Sequence, residues 1–233
     1  MKAMILAAGL GTRMRPLTLK TPKPLLKVGG KPLIEWHIER LVDLGITQLV
    51  INHAWLGEQI ESYLGSGERF GAHIEYSAES EPLETGGGIF RALSKLITHE
   101  EDTFLVINAD VFCDVSWEDL LSQPLKETDV GRLLMVPNPS WHPSGDFLLN
   151  KASGYLSLNQ GEPMTFSGIS LLRGRLFAGC RDESFALAPL LRKAIVAHQL
   201  PGVAHQGVWS DVGTPERLAE VDRLLHEGGK HEC

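Results

Sequence analysis

Ala7, Ala8, Gly9, Gly11, Thr12 and Arg13 stand within the run Leu6-Ala7-Ala8-Gly9-Leu10-Gly11-Thr12-Arg13, and Lys23 follows between Pro22 and Pro24. Glycines and alanines leave backbone N–H groups free to approach phosphate oxygens, while Arg13 and Lys23 add full positive charge. The chemistry on offer is the binding of a polyphosphate, such as a nucleoside triphosphate. The charge distribution agrees. Residues 1–34 contain seven basic side chains (Lys2, Arg13, Arg15, Lys20, Lys23, Lys27, Lys31) and no acidic one, in a chain of net charge −7 whose remainder holds 15 basic against 29 acidic residues. A positive island in an acidic protein suits a compact anion, whereas nucleic acid would favour an extended basic face.

Two familiar phosphate loops fail on specific positions. A P-loop needs Gly-Lys-Ser/Thr, which is absent, and a dinucleotide fingerprint needs a third glycine where Met14 stands and an acidic residue closing the second strand, where the chain reads Val50-Ile51-Asn52-His53. The connection from Gly9 to about Gly30 is far longer than the roughly two to six residues of an ordinary strand-to-helix turn, and long loops in compact domains tend to be functional.

The elements that must position these residues alternate strand and helix, which predicts a mainly parallel sheet covered on both faces. The apolar run 2–6 reads as a buried strand. A helix is expected over 31–44, with Pro32 in its first turn and Ile34, Ile38, Leu41 and Val42 on one face. Strands follow at 48–51, 74–77 and 103–107, and helices at 55–64 and 86–96. Asp110 sits just beyond the last of these strands, at the carboxyl end where open α/β sheets bind ligands. Strands at 132–136, 146–150, 154–158 and 165–172 then form a strand-rich insert, and helices over 185–197 and 216–225 close the pattern. The polar segment 226–233 reads as a frayed tail.

With 43% hydrophobic and 22% charged residues, and no Ser/Gly/Pro-rich linker, the 233-residue chain is expected to be one domain. No apolar run is long enough for a membrane span and the N-terminus lacks a signal-peptide layout, so a cytoplasmic location is expected. Cys113, Cys180 and Cys233 are widely spaced and suggest neither a disulfide framework nor a zinc site. The nine histidines form no His-x-x-x-His pair on an expected helix, and the five tryptophans are scattered as packing residues are.

The Leu-Ala-Ala-Gly-x-Gly-Thr-Arg signature, followed by Pro-Lys-Pro-Leu, resembles the sugar-1-phosphate nucleotidylyltransferase family. Further matches follow in order at 50–53, Glu81-Pro82-Leu83-Glu84-Thr85-Gly86-Gly87, Val106-Ile107-Asn108-Ala109-Asp110, Phe166-Ser167-Gly168-Ile169 and Trp209-Ser210-Asp211-Val212-Gly213-Thr214. Asn-His-Ala-Trp, Leu-Glu-Thr-Gly-Gly-Gly and Thr-Phe-Ser-Gly-Ile look most like the branch that uridylylates N-acetylmuramate 1-phosphate.

The resemblance implies an α/β fold of three layers, Rossmann-like, with a mixed, mainly parallel sheet (the nucleotide-diphospho-sugar transferase, glycosyltransferase A-like fold). Its nucleotide-binding half would span about 1–112 and its sugar-binding part about 130–175. It implies transfer of a nucleotidyl group, UMP from UTP, to a sugar 1-phosphate with release of pyrophosphate. Arg13 and Lys23 would be catalytic, and Asp110 and Asp211 would hold Mg²⁺. The nucleotide would meet Ala7, Ala8, Gly9, Gly11, Thr12, Glu79, Thr85, Gly86 and Gly87, and the sugar Gly145, Asp146, Ser167 and Gly168.

The chain departs from the wider family where Glu84 replaces a usual glycine and where Gly161-Glu162-Pro163 lacks the lysine that meets the sugar phosphate; Lys151 and His142 are candidates for pairing with a sugar carboxylate. A thymidylyl- or guanylyltransferase and a non-catalytic sugar-nucleotide sensor are the alternatives. Neither nucleic acid nor membrane is an expected partner, and a homo-oligomer is left open.

Overall fold

The computed structural model describes residues 1–115 and 117–228. Its nucleotide-side elements are β1 (Lys2–Leu6), β2 (Lys27–Val28), β3 (Lys31–Pro32), α1 (Leu33–Asp43), β4 (Gln48–His53), α2 (Gly57–Leu64), β5 (His73–Ala78), α3 (Glu84–Leu96) and β6 (Thr103–Asn108). There follow β7 (Val111–Cys113), α4 (Trp117–Leu121), β8 (Gly131–Val136), β9 (Phe147–Leu149), β10 (Leu156–Ser157) and β11 (Glu162–Arg173). The last elements are α5 (Ala188–Val196), β12 (Gly202–Ala204), β13 (Trp209–Asp211) and α6 (Pro215–Gly228).

The main sheet runs β10-β9-β11-β6-β1-β4-β5, with β8 on β11 and β12 on β8. β1, β4, β5 and β6 are parallel, whereas β11 is antiparallel to β6, β8 and β9. The apolar β1 is central because it is buried on both faces, as a parallel strand must be. The chain passes from β1 outward to β4 and β5, then returns to place β6 on β1's other side. The β1/β6 boundary is therefore a topological switch point, and the crevice beyond the carboxyl ends of these two strands is where such sheets bind ligands.

Apolar residues fill both faces of the sheet. One cluster joins alternate residues of β1, β4 and β6 to α1 and α2, and the other joins the opposite faces to α3 and α5. A third, smaller cluster packs Met14, Leu26, Val28, Leu33, Phe112, Val212 and Val221 together. It pins the long loop, β7 and α6 to one another.

The expected elements are present with shifted ends. The helix expected from 55 begins at Gly57 because Leu56 is left-handed (φ 54°). The helix expected over 185–197 begins only at Ala188, since the preceding segment runs against the start of α3: Phe185 N donates to Leu83 O (3.1 Å) and Gly87 N to Phe185 O (3.0 Å). The strand expected over 165–172 extends over Glu162–Arg173 with an irregularity between Phe166 and Ser170, where Gly168 has φ +82°. The last helix continues through His226 and Glu227, so the frayed tail does not begin at 226; residues 229–233 lie outside the described part. The ribbon of β7 and β13 was not anticipated, because three-residue strands carry too little periodicity to be read.

Candidate active site

The switch point brings together two strand ends. Ala7–Gly9 follow β1 and Ala109–Asp110 follow β6, and Ala109 N donates to Leu6 O (3.0 Å). A cleft opens above them, lined by Ala7, Ala8, Gly9, Lys23, Thr85 and Asp110 among others. A second opening shares Asn108 and Asp110 with it and adds Arg13, Asp146, Ser167, Gly168, Asp211 and Arg217. The two form one continuous groove across the carboxyl edge of the sheet.

Asp110 and Asp211 are far apart in sequence, and the β7/β13 ribbon makes them neighbours. Asp211 is in register with Val111, and Val212 N donates to Asp110 O (2.8 Å). Lys23, only 8% exposed, sends its ammonium to Asp110 Oδ2 (2.5 Å). Arg217 hydrogen-bonds Asp211 Oδ1 and donates to its main-chain oxygen (3.1 Å), with the guanidinium 4.4 Å from the Trp141 ring centroid. Arg13 converges on the same place, because a Cβ at Gly213 would lie 3.2 Å from Asp211 Oδ2 and 3.4 Å from both terminal guanidinium nitrogens of Arg13. Gly213 leaves the room that this meeting requires.

The remaining expected residues divide between the groove and its scaffold. Ala8, Gly9 and Thr85 line the groove. Ala7 also lines it, yet its amide is taken by Asn52 Oδ1 (2.9 Å) and is not free to meet a base. Glu79 also lines the groove, although it is largely buried and both its carboxylate oxygens are engaged: Oε1 accepts from Asn52 Nδ2 (2.7 Å) and Oε2 from Leu83 N (3.1 Å). Gly86 and Gly87 do not line the groove; a Cβ at either would strike residues 183–185, so they are glycine for the close approach of that segment to α3. Gly88 is similar, facing Glu79 and Asn52. Gly11 has φ +60° and opens the short 3-10 turn at Thr12–Met14 that carries Arg13, and neither Gly11 nor Thr12 is among the residues lining the groove.

On the sugar side, Asp146, Ser167 and Gly168 line the groove but Gly145 does not. Gly145 turns the chain at φ +63° where a side chain would strike Asn138 and Met164. Asp146 Oδ2 accepts from Phe166 N (2.8 Å) and Oδ1 lies 3.2 Å from His142 Nε2. Gly168 lets Asn108 pack against β11. Lys151 is engaged by Glu162 (2.5 Å) and lies outside the groove.

Asn52, Asn108, Arg217 and Trp141 went unassigned from the sequence. The asparagines had a signal, since each is a polar residue at or near the end of an apolar strand. Arg217 and Trp141 had none beyond composition.

The Nucleotidyl transferase family model matches residues 2–145, and with this match, the fold and the groove, the chain belongs to that family, in the class of sugar-1-phosphate nucleotidylyltransferases. The chain is 48% identical over 229 residues to an N-acetylmuramate alpha-1-phosphate uridylyltransferase of Neisseria meningitidis serogroup B, covering 96% of this chain and 98% of that protein. It is 33% identical to a Caulobacter vibrioides protein of the same name, covering 95% and 96%. A mannose-1-phosphate guanyltransferase of Gibberella zeae is also 33% identical over 93% of this chain, which spans 62% of that protein. Among solved structures, HddC from Yersinia pseudotuberculosis complexed with GMP-PN superposes with a TM-score of 0.75 at 20% identity, over 96% of this chain and 98% of that one. A putative glucose-1-phosphate thymidylyltransferase from Bacillus anthracis superposes with a TM-score of 0.83 at 21% identity, over 97% of this chain and 95% of that one, so the fold is the one the resemblance implied.

Proposed function

We propose that the protein transfers UMP from UTP to N-acetylmuramate 1-phosphate, giving the UDP-sugar and pyrophosphate. The observation that carries the reaction is the convergence of Lys23, Asp110, Asp211 and Arg13 at the switch point. The choice of uracil and muramate is supported by the 48% identical Neisseria relative, which matches over nearly its whole length, while the guanyltransferase matches span 62% of their lengths.

In the proposed reaction an ionised oxygen of the sugar 1-phosphate attacks the α-phosphorus of the nucleotide. A new P–O bond forms, the α–β bridging bond breaks, and its electron pair leaves with pyrophosphate. The attacking monoester is already largely ionised at neutral pH, so no protein nucleophile is needed; charge neutralisation and alignment are. Lys23, beside Asp110, would meet the α-phosphate, and Arg13, with its planar fork of donors, would hold the departing pyrophosphate.

The donor set fits a hard divalent cation such as Mg²⁺. Asp110 uses Oδ2 for Lys23 and Asp211 uses Oδ1 for Arg217, which leaves Asp110 Oδ1 and Asp211 Oδ2 without a hydrogen-bond partner among the described residues. Asp110 and Asp211 would hold the ion through these oxygens, with phosphate oxygens and water supplying the other hard ligands it prefers. When bound, the ion would offset the repulsion between the two anionic substrates.

The nucleotide half would span about 1–112 and the sugar part about 130–175 of a single domain. No helix among the described residues is long and apolar enough to cross a membrane, and a cytoplasmic site of action is proposed with the nucleotide substrate in mind. The test is pyrophosphate release from UTP, dTTP, GTP, CTP and ATP against N-acetylmuramate, N-acetylglucosamine, glucose and mannose 1-phosphates, with Mg²⁺ and with EDTA. Metal-dependent release selective for UTP and the muramate is the expected result. Preference for GTP or dTTP would overturn the substrate, and binding of UDP-sugar with no turnover would overturn the enzyme reading.

A further inference from the structure

Behind the sugar residues the groove continues into another cleft, between β9, β11 and α5. It shares Asn108, Asp146, Phe166 and Gly168 with the opening that contains Asp110 and Asp211, so the two meet across the place proposed for the hexose ring. Its far wall is formed by Ala186 and Ala188, whose small side chains leave space, and by Arg192 on α5.

Arg192 is the one cation lining this cleft, and it makes no ion pair or hydrogen bond among the described residues. Its guanidinium carbon lies 5.3 Å from the Phe147 ring centroid. An aromatic face beside a guanidinium limits its motion while leaving N–H donors for a planar, bidentate acceptor. Of the other cations near the sugar region, Lys23, Arg217 and Lys151 are engaged by Asp110, Asp211 and Glu162, His142 faces Asp146, and Arg13 lies beside Asp211 at the place proposed for the pyrophosphate.

We propose that Arg192 selects the sugar by pairing with a carboxylate on the side of the ring remote from the anomeric phosphate. The inference rests on the muramate reading above and adds the residue that would enforce it. The anomeric phosphate has to reach the nucleotide beside Asp110 and Asp211, in the opening that Arg192 does not line. A group directed into the α5 cleft therefore comes from elsewhere on the ring. N-acetylmuramate differs from N-acetylglucosamine by a lactyl ether ending in a carboxylate, the planar anion that a guanidinium fork matches. No neutral hexose supplies such a partner.

The test compares wild type, Arg192→Gln and Arg192→Lys with UTP and saturating Mg²⁺, using N-acetylmuramate 1-phosphate and N-acetylglucosamine 1-phosphate in parallel. The readout is the ratio of kcat/KM for the acidic over the neutral sugar, which cancels any difference in the fraction of folded enzyme. In R192Q this ratio should fall about 10- to 100-fold, the span of a lost charge-assisted hydrogen bond, with the loss falling mainly on KM. R192K should lose less, since it keeps the charge but not the fork. An unchanged ratio in R192Q, with wild type active on the muramate, overturns the role of Arg192 alone. Wild type inactive on the muramate overturns the substrate reading and this assignment with it.

Discussion

Lys23 shows how a single residue is fixed for chemistry before any substrate arrives. Its ammonium is nearly buried and stands 2.5 Å from Asp110, so its position is set by the pair and by the prolines on either side. Removing it takes away the charge proposed to meet the α-phosphate, and removing Arg13 does the same for pyrophosphate. Lys23→Ala and Arg13→Ala should each lower kcat by about a hundredfold or more, the cost typical of a lost transition-state charge partner. Steady-state pyrophosphate assays check this, and near-normal turnover in either variant would contradict the assigned role. These two cations and Asp110 were legible in the sequence because they sit in short contiguous motifs. Glu79 was not: the sequence pointed to its loop as a meeting place for the nucleotide, but its hydrogen bonds to Asn52 and Leu83 depend on contacts between segments.

The loop between β1 and β2 has little regular structure beyond 3-10 turns, yet it carries both cations. It is held from below by Met14, fully buried among Leu26, Val28, Phe112 and Val212, and from the side by Trp55 Nε1 donating to Thr18 O (3.0 Å). The same small core contains residues of β7, α6 and the segment after β13, so it fixes Arg13 relative to both aspartates. Met14→Ala should therefore cost about 2–5 kcal/mol of stability through the lost contacts and the cavity left behind. It should also reduce turnover, because the loop that aims Arg13 loses its anchor. Urea unfolding together with kinetics at low temperature separates the two effects; a destabilised variant with unimpaired kcat would show that the loop is positioned otherwise. Long elements such as α1 and β6 were readable from periodicity, whereas β7 and β13 are made by pairing across about a hundred residues and leave no local trace.

At the scale of the whole molecule, one buried group, His37, gives the fold a dependence on pH. Burial, aided by the neighbouring Arg40 charge, lowers the His37 pKa from 6.5 to about 4, and its Nε2 has no hydrogen-bond partner among the described residues. The unfolded chain takes up this proton near pH 6.5, but the folded chain resists it. The histidine's contribution is thus fully retained above about pH 6.5, is lost progressively as pH falls, and levels off below about pH 4, a total of order 3 kcal/mol. In His37→Gln the fall in melting temperature between pH 7 and pH 4 should be shallower than in wild type. Equal slopes measured by scanning calorimetry would assign the acid sensitivity to other groups.

The sequence by itself determined the alternating α/β order, the positive charge of residues 1–34 and the family, because these depend on local composition and on motifs a few residues long. Tertiary structure decided the rest. It joined Asp110 to Asp211 through a ribbon, gave Arg217 its partners, tied Glu79 to Asn52 and Leu83, brought residues 183–185 against Gly86 and Gly87, and opened a cleft in which Arg192 makes no ion pair among the described residues. Each of these depends on which side chains meet across distant segments. Chain order does not encode such meetings in any local pattern; sheet pairing and close packing do.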